Sequence, residues 1–541
     1  MEVVEAIQRC NILKIALASV NVKRKTAYQA LKPQQTRTLL ASIQNDVLSI
    51  LPTGYGKSLI FECLPRVVSL SRKLPSAIIL VSPLNSIILE QVSRYNDLAI
   101  EVTEQFLNNL KIHHSLCSST TINSNNCSCQ GVVKQFTTGT FMFLIGHPEQ
   151  MIHKDLFKEL RHDRYQTLLT HLVIDEAHCV EKWGKDFRKD FSKLRELRSI
   201  LPKAKVLALT GTASTETQKS IKVAMLMKDA VTFQSCIART NIKLFVKRRP
   251  NYKDGSEESF LVTIKPFVEE LKEKKDSFPK TVIYCNLKWC GAGYEECQRH
   301  LTIDDTKQLV AQYHAPCTNQ MKDYVVQSMG EFGKTRLLFA TEAYSMGTDT
   351  PNIRRIIHFG VPKSVESYMQ EVGRAGRDGA YAEAILFYNN NDVAKNVVGL
   401  DTKMSDFCRT DECRWNFLCN HFGCPQEISF RDHMCCDNCV HKCSCPECSD
   451  DRLMVSQDCD LPMAVSASKL LCIKQSLLQY FQAENSISTH QNPVLHTGLS
   501  IELADRVAKC VQQGRDLKNY LSYLNSNYIG NITAIVQAHS N

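Results

Sequence analysis

Between about residue 20 and residue 240, short β-branched runs alternate with amphipathic stretches. SAIILVSP (Ser76–Pro83), FMFLIGHP (Phe141–Pro148), HLVIDEAH (His171–His178) and KVLALTGT (Lys205–Thr212) are apolar at successive positions, and each closes in small or polar residues. A strand apolar on both faces belongs in a parallel sheet covered by helices, where chemistry gathers at the strands' C-terminal ends. From about 255 to 395 the pattern repeats in TVIYCN (Thr281–Asn286), TRLLFAT (Thr335–Thr341), RRIIHFG (Arg354–Gly360) and EAILFYN (Glu383–Asn389). The pattern predicts two tandem α/β lobes, at 25–247 and 248–395, joined through the polar stretch RRPNYKDGSEES (Arg248–Ser259). A helical extension (1–24) precedes them. A cysteine-rich segment (396–450) and a short, mostly helical region (451–541) follow, with KLLCIKQSLLQYFQAE (Lys469–Glu484) as an amphipathic helix. The polar SSTTINSNNCSCQG (Ser118–Gly131) reads as a loop or insertion.

Composition narrows this little. A chain of 541 residues, 43% hydrophobic and 22% charged, has the makings of an ordinary globular protein of several domains. The net charge of +9 is compatible with a polyanionic partner. The first residues carry Glu2, Glu5, Arg9, Asn11 and Lys14, which does not fit a secretory signal, and no apolar run is long enough to span a membrane. A cytosolic or nuclear location is expected, in which the 24 cysteines are mostly thiols.

Candidate chemistry begins after the apolar VLSIL, with PTGYGKS (Pro52–Ser58). Thr53, Gly54 and Gly56 let backbone N–H groups converge on a phosphate. Lys57 can reach the β- and γ-phosphates, Ser58 can hold Mg²⁺, and the helix that follows points its N-terminus at the same anion. In VIDEAH (Val173–His178), Asp175 would sit beside Mg²⁺ and Glu176 would orient or deprotonate the attacking water. An isolated Asp-Glu pair is usually a solvated turn; behind a buried strand and a phosphate loop it points to ATP hydrolysis. YMQEVGRAGRDGAY (Tyr368–Tyr381) carries Gln370, Arg374 and Arg377, the arginines spaced to share a helix face. A basic surface turn is the plain alternative. The functional one is a pair of guanidinium donors presented to the γ-phosphate from the neighbouring lobe, which couples hydrolysis to lobe closure.

Together these stretches resemble the RecQ family of DNA helicases, within helicase superfamily two, over Tyr28–Cys439. YQALKPQQ (Tyr28–Gln35) is similar to the family's adenine-reading motif, whose tyrosine, basic residue and glutamine fall on Tyr28, Lys32 and Gln35. VSPLNSIILEQV (Val81–Val92) resembles a strand-binding motif, and IDEAHCVEKWGKDFR (Ile174–Arg188) the metal-and-water motif with its aromatic-rich loop. ALTGTA (Ala208–Ala213) resembles the motif that couples hydrolysis to unwinding, with Gly211 where the family usually has alanine. Phe339–Gly379 matches the last two motifs, with Gly347 and Asp349 in place and a departure at Glu342–Ser345. The resemblance implies two RecA-like lobes followed by a small helical zinc-binding subdomain and a divergent C-terminal region. It implies ATP, Mg²⁺ and Zn²⁺. It also implies 3′ to 5′ unwinding, acting on single-stranded and partially duplex DNA in the nucleus, alongside repair or recombination proteins.

Trp183 and Phe187 are interleaved with Lys182, Lys185 and Arg188, so aromatic rings can stack on bases while cations meet phosphates; packing into a core is the alternative. Ser82, Thr210 and Thr341 end strands on the same side and are expected to contact phosphates. CDNC gives Cys436 and Cys439 the spacing of a thiolate knuckle on tetrahedral zinc. The resemblance adds Cys413 and one ligand shortly before the final pair. His433 is preferred there, with Cys435 as the alternative, because adjacent residues do not easily reach one metal. Cys443, Cys445 and Cys448 have no assignment. Residues 450–541 show no convincing strand-separating wing, which keeps two rivals open. One is a nucleic-acid-stimulated ATPase or RNA helicase without efficient DNA unwinding. The other is a nucleic-acid-binding scaffold without turnover.

Overall fold

The apolar runs become strands because successive side chains enter separate cores on opposite faces of each sheet. The structure, a computed structural model, describes residues 2–443 apart from 84, 118–130, 180–192, 250–255, 331, 346–349, 351 and 425–433. Beyond 443 it describes 467–487, 503–504, 507–508, 511 and 526–540. The chain divides into two units, Met1–Cys443 and Ser444–Asn541.

In the first unit, β1 (Val47–Ile50), β2 (Ala77–Val81), β3 (Ala99–Glu101), β4 (Phe143–Gly146), β5 (Leu169–Ile174), β6 (Lys205–Thr210) and β7 (Val231–Gln234) form one parallel sheet. Its order is β3-β4-β2-β5-β6-β1-β7. Ile79, Val81, Leu172 and Ile174 enter the core on one face, while Ile78, Leu80 and Val173 enter the core on the other. A second parallel sheet contains β8 (Ile242–Arg248), β9 (Thr281–Tyr284), β10 (Val310–Tyr313), β11 (Leu337–Ala340), β12 (Arg355–Phe359) and β13 (Ala382–Tyr388), ordered β10-β11-β9-β12-β13-β8. These are two RecA-like lobes.

One boundary differs from the sequence reading. β8 pairs with β13 along its whole length, so residues 242–247 belong to the second lobe. The chain crosses between lobes at 235–241, and Arg248, at the end of β8, belongs to the second lobe. The reason is burial: β8 is an edge strand in which Ile242 and Leu244 are buried while Lys243 and Lys247 are not, so its charge hides it as a strand and leaves it at the end of the first lobe in the sequence reading. The cysteine-rich segment covers this edge. Trp415 Nε1 donates to Ile242 O (3.1 Å), Leu244 N to Cys435 O (3.2 Å) and Val246 N to Asp437 Oδ2 (2.8 Å).

The N-terminal helix Glu2–Arg24 packs Ala16, Leu17 and Val20 into the core beneath the helix Lys57–Arg72. Its last residue locks the two together. Glu62, 1% exposed, accepts both arms of Arg24 (2.7 Å each), Arg94 Nη1 (2.6 Å), Gln91 Nε2 (3.0 Å) and the Tyr95 hydroxyl (3.2 Å). In the second unit, Ile473, Leu477 and Phe481 of the helix Ala467–Ile487 pack with Ile532 and Val536 of the helix Ser526–Ser540. No described helix is long and apolar enough to cross a membrane.

Removing one side of a buried, hydrogen-bonded ion network leaves the other side uncompensated, at roughly 3–5 kcal/mol. Glu62→Ala should therefore shift the urea-unfolding transition of the Met1–Cys443 unit by that order. An unchanged midpoint would show that the network does not hold the extension to the lobe.

Candidate active site

The phosphate loop is rooted on the neighbouring strand: Leu51 N donates to Thr210 O at 2.9 Å. Gly54 (φ +81°) and Gly56 (φ +91°) take left-handed backbone that a side chain would strain, and Gly56 caps the helix Lys57–Arg72. Lys57 Nζ folds back onto Leu51 O at 3.3 Å, and Ser58 follows it in the first helical turn, half-buried. A methyl on Gly211 would stand 3.4 Å from both Lys57 Nζ and Thr53 Oγ1, so the end of β6 lies directly against the loop.

Two of the three residues expected to read adenine, Lys32 and Gln35, lie against this loop. Gln35 donates its amide to Tyr55 O (3.1 Å) and Gly56 O (3.0 Å), and its oxygen accepts from Lys32 N (2.8 Å). Lys32 Nζ lies 4.8 Å from the centre of the Tyr55 ring, and burial lowers its pKa from the ordinary lysine value. Tyr28 is 45% exposed, with its backbone tied to the Asn21 side chain.

Asp175 follows β5, 3% exposed, its N–H donating to Val81 O (2.9 Å). Burial, then the neighbouring Glu176, push its carboxyl up to about 7 against the opposing pull of Lys57. Glu176 has φ +48°, unusual for a residue with a side chain. Its Oε2 is 3.4 Å from His178 Nδ1, which is 2.9 Å from Thr210 Oγ1. Thr210 uses its one hydroxyl hydrogen on Thr212 O (2.9 Å), so its oxygen accepts from His178 and the imidazole carries its proton on Nδ1.

This relay overturns one expectation. Thr210 and Ser82 are fully buried, so neither offers its hydroxyl to a strand; both lie within the sheet layer, and Ser82 N bonds Gly146 O (3.2 Å). Thr341 is half-buried, with its N–H on Tyr313 O (3.1 Å). Trp183, Phe187, Arg188, Gly347, Asp349 and His433 lie outside the described residues.

Across the cleft, the helix Val365–Val372 carries half-buried Gln370 and ends before Gly373. Arg374 and Arg377 therefore sit in the turns beyond it, not on a helix face as their spacing suggests. Gly376 sets the turn at φ +53°, where a Cβ would come within 2.5 Å of Asn241 Nδ2 and 2.6 Å of Ala380 O. Arg374 is 5% exposed, donates to Ser345 O and places its guanidinium 5.6 Å from the Tyr344 ring centre. Burial lowers its pKa, and Glu176 of the other lobe is among the charges acting on it. Arg377 Cγ lies 3.8 Å from where a Cβ on Gly54 would be, and a Cβ on Gly373 would stand 3.4 Å from Thr53 Oγ1. The arginine turn thus rests on the phosphate loop.

Two residues missed by the sequence reading hold that turn. Arg239 donates to the carbonyls of Gly373 (3.3 Å) and Gly376, and Asn241 Nδ2 donates to those of Gly376 (2.9 Å) and Ala380 (2.7 Å). Both lie in the 235–241 crossing, and Arg239 lines the cleft with Pro52, Thr53, Gly211 and Gly373. Their only signal was polar residues directly before β8, which became legible once β8 was known to be a strand.

The cysteine cluster also forms. The Sγ atoms of Cys413, Cys435, Cys436 and Cys439 all lie within 4.8 Å of one another, and those of Cys413 and Cys435 are 3.2 Å apart. Zn–S bonds of about 2.3 Å place tetrahedral thiolates about 3.8 Å apart, so the four fit zinc. Cys435 takes the place expected for His433. The chain bends at Cys435, which lets neighbouring thiols converge instead of pointing to opposite sides. Burial and the Cys436 charge push the Cys439 thiol up to about 12, as expected where several thiols meet without a cation. Arg414 pairs with Asp437 (Nη2 to Oδ2, 3.0 Å), which holds the cluster against β8. Cys443 is half-buried, and Cys445 and Cys448 lie outside the described residues.

Residues 32–221 match the DEAD/DEAH box helicase family and residues 263–379 the helicase conserved C-terminal domain. The RecQ-like DNA helicase BLM of Xenopus laevis is 30% identical over 427 residues, 73% of this chain and 28% of that protein. The ATP-dependent DNA helicase RecQ of Haemophilus influenzae is 28% identical over 434 residues, 77% of this chain and 62% of that protein. The chain thus spans less than two thirds of the length of either relative. The structure of the DUF1998 helicase MrfA bound to DNA and AMPPNP shares the fold, with a TM-score of 0.55 at 14% identity over 74% of this chain and 52% of that one. Both lobes, the residues converging between them and the relatives agree: the chain has the two-domain build of the superfamily two helicases and is related to the RecQ family of DNA helicases.

Proposed function

We propose that this chain is an ATP-driven motor that moves 3′ to 5′ on single-stranded DNA and unwinds the duplex ahead of it, in repair or recombination within the nucleus. The observation that carries the reading is the seating of the arginine turn on the phosphate loop, Arg377 against Gly54 and Gly373 against Thr53. A triphosphate gripped there is contacted from both lobes at once, so its loss on hydrolysis changes how the lobes hold each other. Both curated relatives are named as DNA helicases, which favours DNA as the track.

In this reading Lys57 leaves the Leu51 carbonyl for the β- and γ-phosphates, and Gln35 turns its amide from the loop carbonyls to the purine edge beside Tyr28 and Lys32. Gly347 and Asp349 complete the nucleotide site from the second lobe. Ser58 and Asp175 would hold Mg²⁺, which when bound offsets the charge of the triphosphate. Asp175 suits that role: a buried carboxyl raised to about 7 gains from a nearby cation. Glu176 orients the attacking water and accepts its proton, with His178 fixing its carboxylate. Arg374 and Arg377 meet the negative charge that develops on the transferred phosphoryl group, with Gln370 beside them. Trp183, Phe187 and Arg188 follow Glu176 in the chain, so a strand engaged by them acts on the water-orienting carboxylate.

ATP turnover should rise with single-stranded DNA. Glu176→Gln should lower it by about 10²–10⁴-fold while nucleotide binding persists. Duplexes with 3′ overhangs should be opened and those with 5′ overhangs should not. Turnover that survives Glu176→Gln removes the catalytic assignment, opening of RNA duplexes instead of DNA favours the RNA helicase, and stimulated turnover without strand separation favours a translocase. The metal gives a separate test. Purified chain should carry roughly one zinc, as a closed tetrahedral site requires. Cys435→Ser should release it and lower the melting temperature, whereas His433→Ala should retain it. The reverse outcome would restore His433 as the ligand.

A further inference from the structure

Three more cysteines meet where the chain passes from one lobe to the other. Cys236 lies two residues beyond β7 in the 235–241 crossing and is half-buried. Cys419, 6% exposed, is on the helix Arg414–Phe422, and Cys424, 7% exposed, lies just past its end; both belong to the second lobe's core. The Sγ atoms of Cys236 and Cys419 are 3.8 Å apart although 183 positions separate them in sequence. Gln234, the last residue of β7, donates to Phe422 O (2.6 Å) and Cys424 Sγ (3.5 Å). A Cβ on Gly423 would stand 3.5 Å from Thr215 Oγ1 of the first lobe. The end of this helix is therefore where a first-lobe strand, the crossing and the second-lobe core touch.

These thiols are separate from the four-cysteine cluster, and the ATPase reading gives them no task. Hydrogen bonds from Cys419 and Cys424 hold Cys236 below the ordinary cysteine range and outweigh its burial. Cys236 is also the most accessible of the three. An accessible thiol 3.8 Å from a buried partner thiol is the arrangement of a peroxide-sensitive pair.

We propose that Cys236 and Cys419 form a reversible disulfide that locks the two lobes together at the crossing. The Cys236 thiolate attacks hydrogen peroxide, the O–O bond breaks, and protonation of the departing hydroxide leaves a sulfenic acid and one water. The Cys419 sulfur then attacks the sulfenic sulfur, and its proton leaves with the hydroxyl group as a second water. Two thiols and one peroxide thus give one disulfide and two waters, and a dithiol reductant reverses the step by exchange. Sulfurs already in contact need only side-chain rotation to reach the bonded separation of about 2.05 Å. The bond ties the crossing to a helix of the second lobe. The lobes then cannot rotate apart about 235–241, while the nucleotide cleft stays formed.

The test uses the full chain treated with a small excess of hydrogen peroxide, followed by non-reducing peptide mapping. The expected product is a Cys236–Cys419 linkage that dithiothreitol reverses and Cys236→Ser abolishes. DNA-stimulated ATP turnover should fall about tenfold or more on oxidation, because lobe motion limits such cycles, and should return on reduction. Cys236→Ser and Cys419→Ala should both keep their turnover under the same treatment, with zinc content monitored to show the other cluster intact. The mapping stands without any ATPase activity, so the linkage can be judged even if the motor reading fails. No linkage, a linkage between other cysteines, or equal peroxide sensitivity in both variants would overturn the proposal.

Discussion

Arg374 is a permanent positive charge with 5% of its surface exposed, and a charge so placed persists only where negative charge or dipoles meet it. Its described contacts are the Ser345 carbonyl and the Tyr344 ring, with Glu176 acting from across the cleft. It is one of several cations there. Lys57 folds over the phosphate loop, Arg377 lies on Gly54, and Arg239, whose pKa is lowered by burial and by Arg377, lines the same cleft. Among the described residues, Asp175 and Glu176 face them from the first lobe and Asp378 acts on Arg239, while burial works against ionisation of Asp175. A triphosphate bound at this junction would bring negative charge to these cations. Parallel topology makes this possible, because each sheet aims the C-terminal ends of its strands, with their loops, into the shared cleft.

The crossing between lobes is part of that electrostatic arrangement. Arg239 and Asn241 hold the carbonyls of Gly373, Gly376 and Ala380, so the turn that presents Arg374 and Arg377 is shaped by the chain that links the lobes. A rotation about 235–241 therefore moves the arginines with it. Gln234 and Cys236, at the other end of the same stretch, contact the helix Arg414–Phe422, which packs into the second-lobe core. The arginine turn and the thiol contact thus meet in one short segment, 234–241.

The sequence revealed those parts of the fold where burial is two-sided. β2, β4, β5, β6, β9, β11, β12 and β13 were legible because continuous apolar runs have no other stable placement. β3 and β10 are short and partly polar, and β7 is half-exposed throughout, so nothing in their pattern separates them from loops. β8 was misread because an edge strand carries lysines on its open side. At the site, Lys57, Asp175, Glu176, Arg374 and Arg377 stood out in the sequence by residue type and spacing, and the structure brings them to one cleft. What spacing could not show was backbone direction: Gly376 takes the arginines off the helix, and a bend at Cys435 lets adjacent thiols converge. Ser82 and Thr210 failed for a related reason, since position in a strand does not say whether a hydroxyl clears the sheet.

The burial of Thr210 gives it a different part to play. Glu176 holds a left-handed backbone that costs about 1–3 kcal/mol for a residue with a side chain, so its surroundings must over-determine it. Ala177 N on Leu209 O (2.9 Å) fixes the chain just past it, and the His178–Thr210–Thr212 relay steadies its carboxylate. That relay ends at the Thr212 carbonyl, and Thr212 and Gly211 line the cleft opposite Gly373 and Arg239. The Gly211–Thr212 turn therefore joins the cleft to this relay, and His178 Nδ1, which donates to Thr210, lies 3.4 Å from the Glu176 carboxylate. Gly211 suits that position: a Cβ there would stand 3.4 Å from both Lys57 Nζ and Thr53 Oγ1. The backbone strain at Glu176 and the lobe contact at Gly211–Thr212 thus meet at the end of β6, which holds Ala177 through Leu209 on one side and carries the cleft-lining turn on the other.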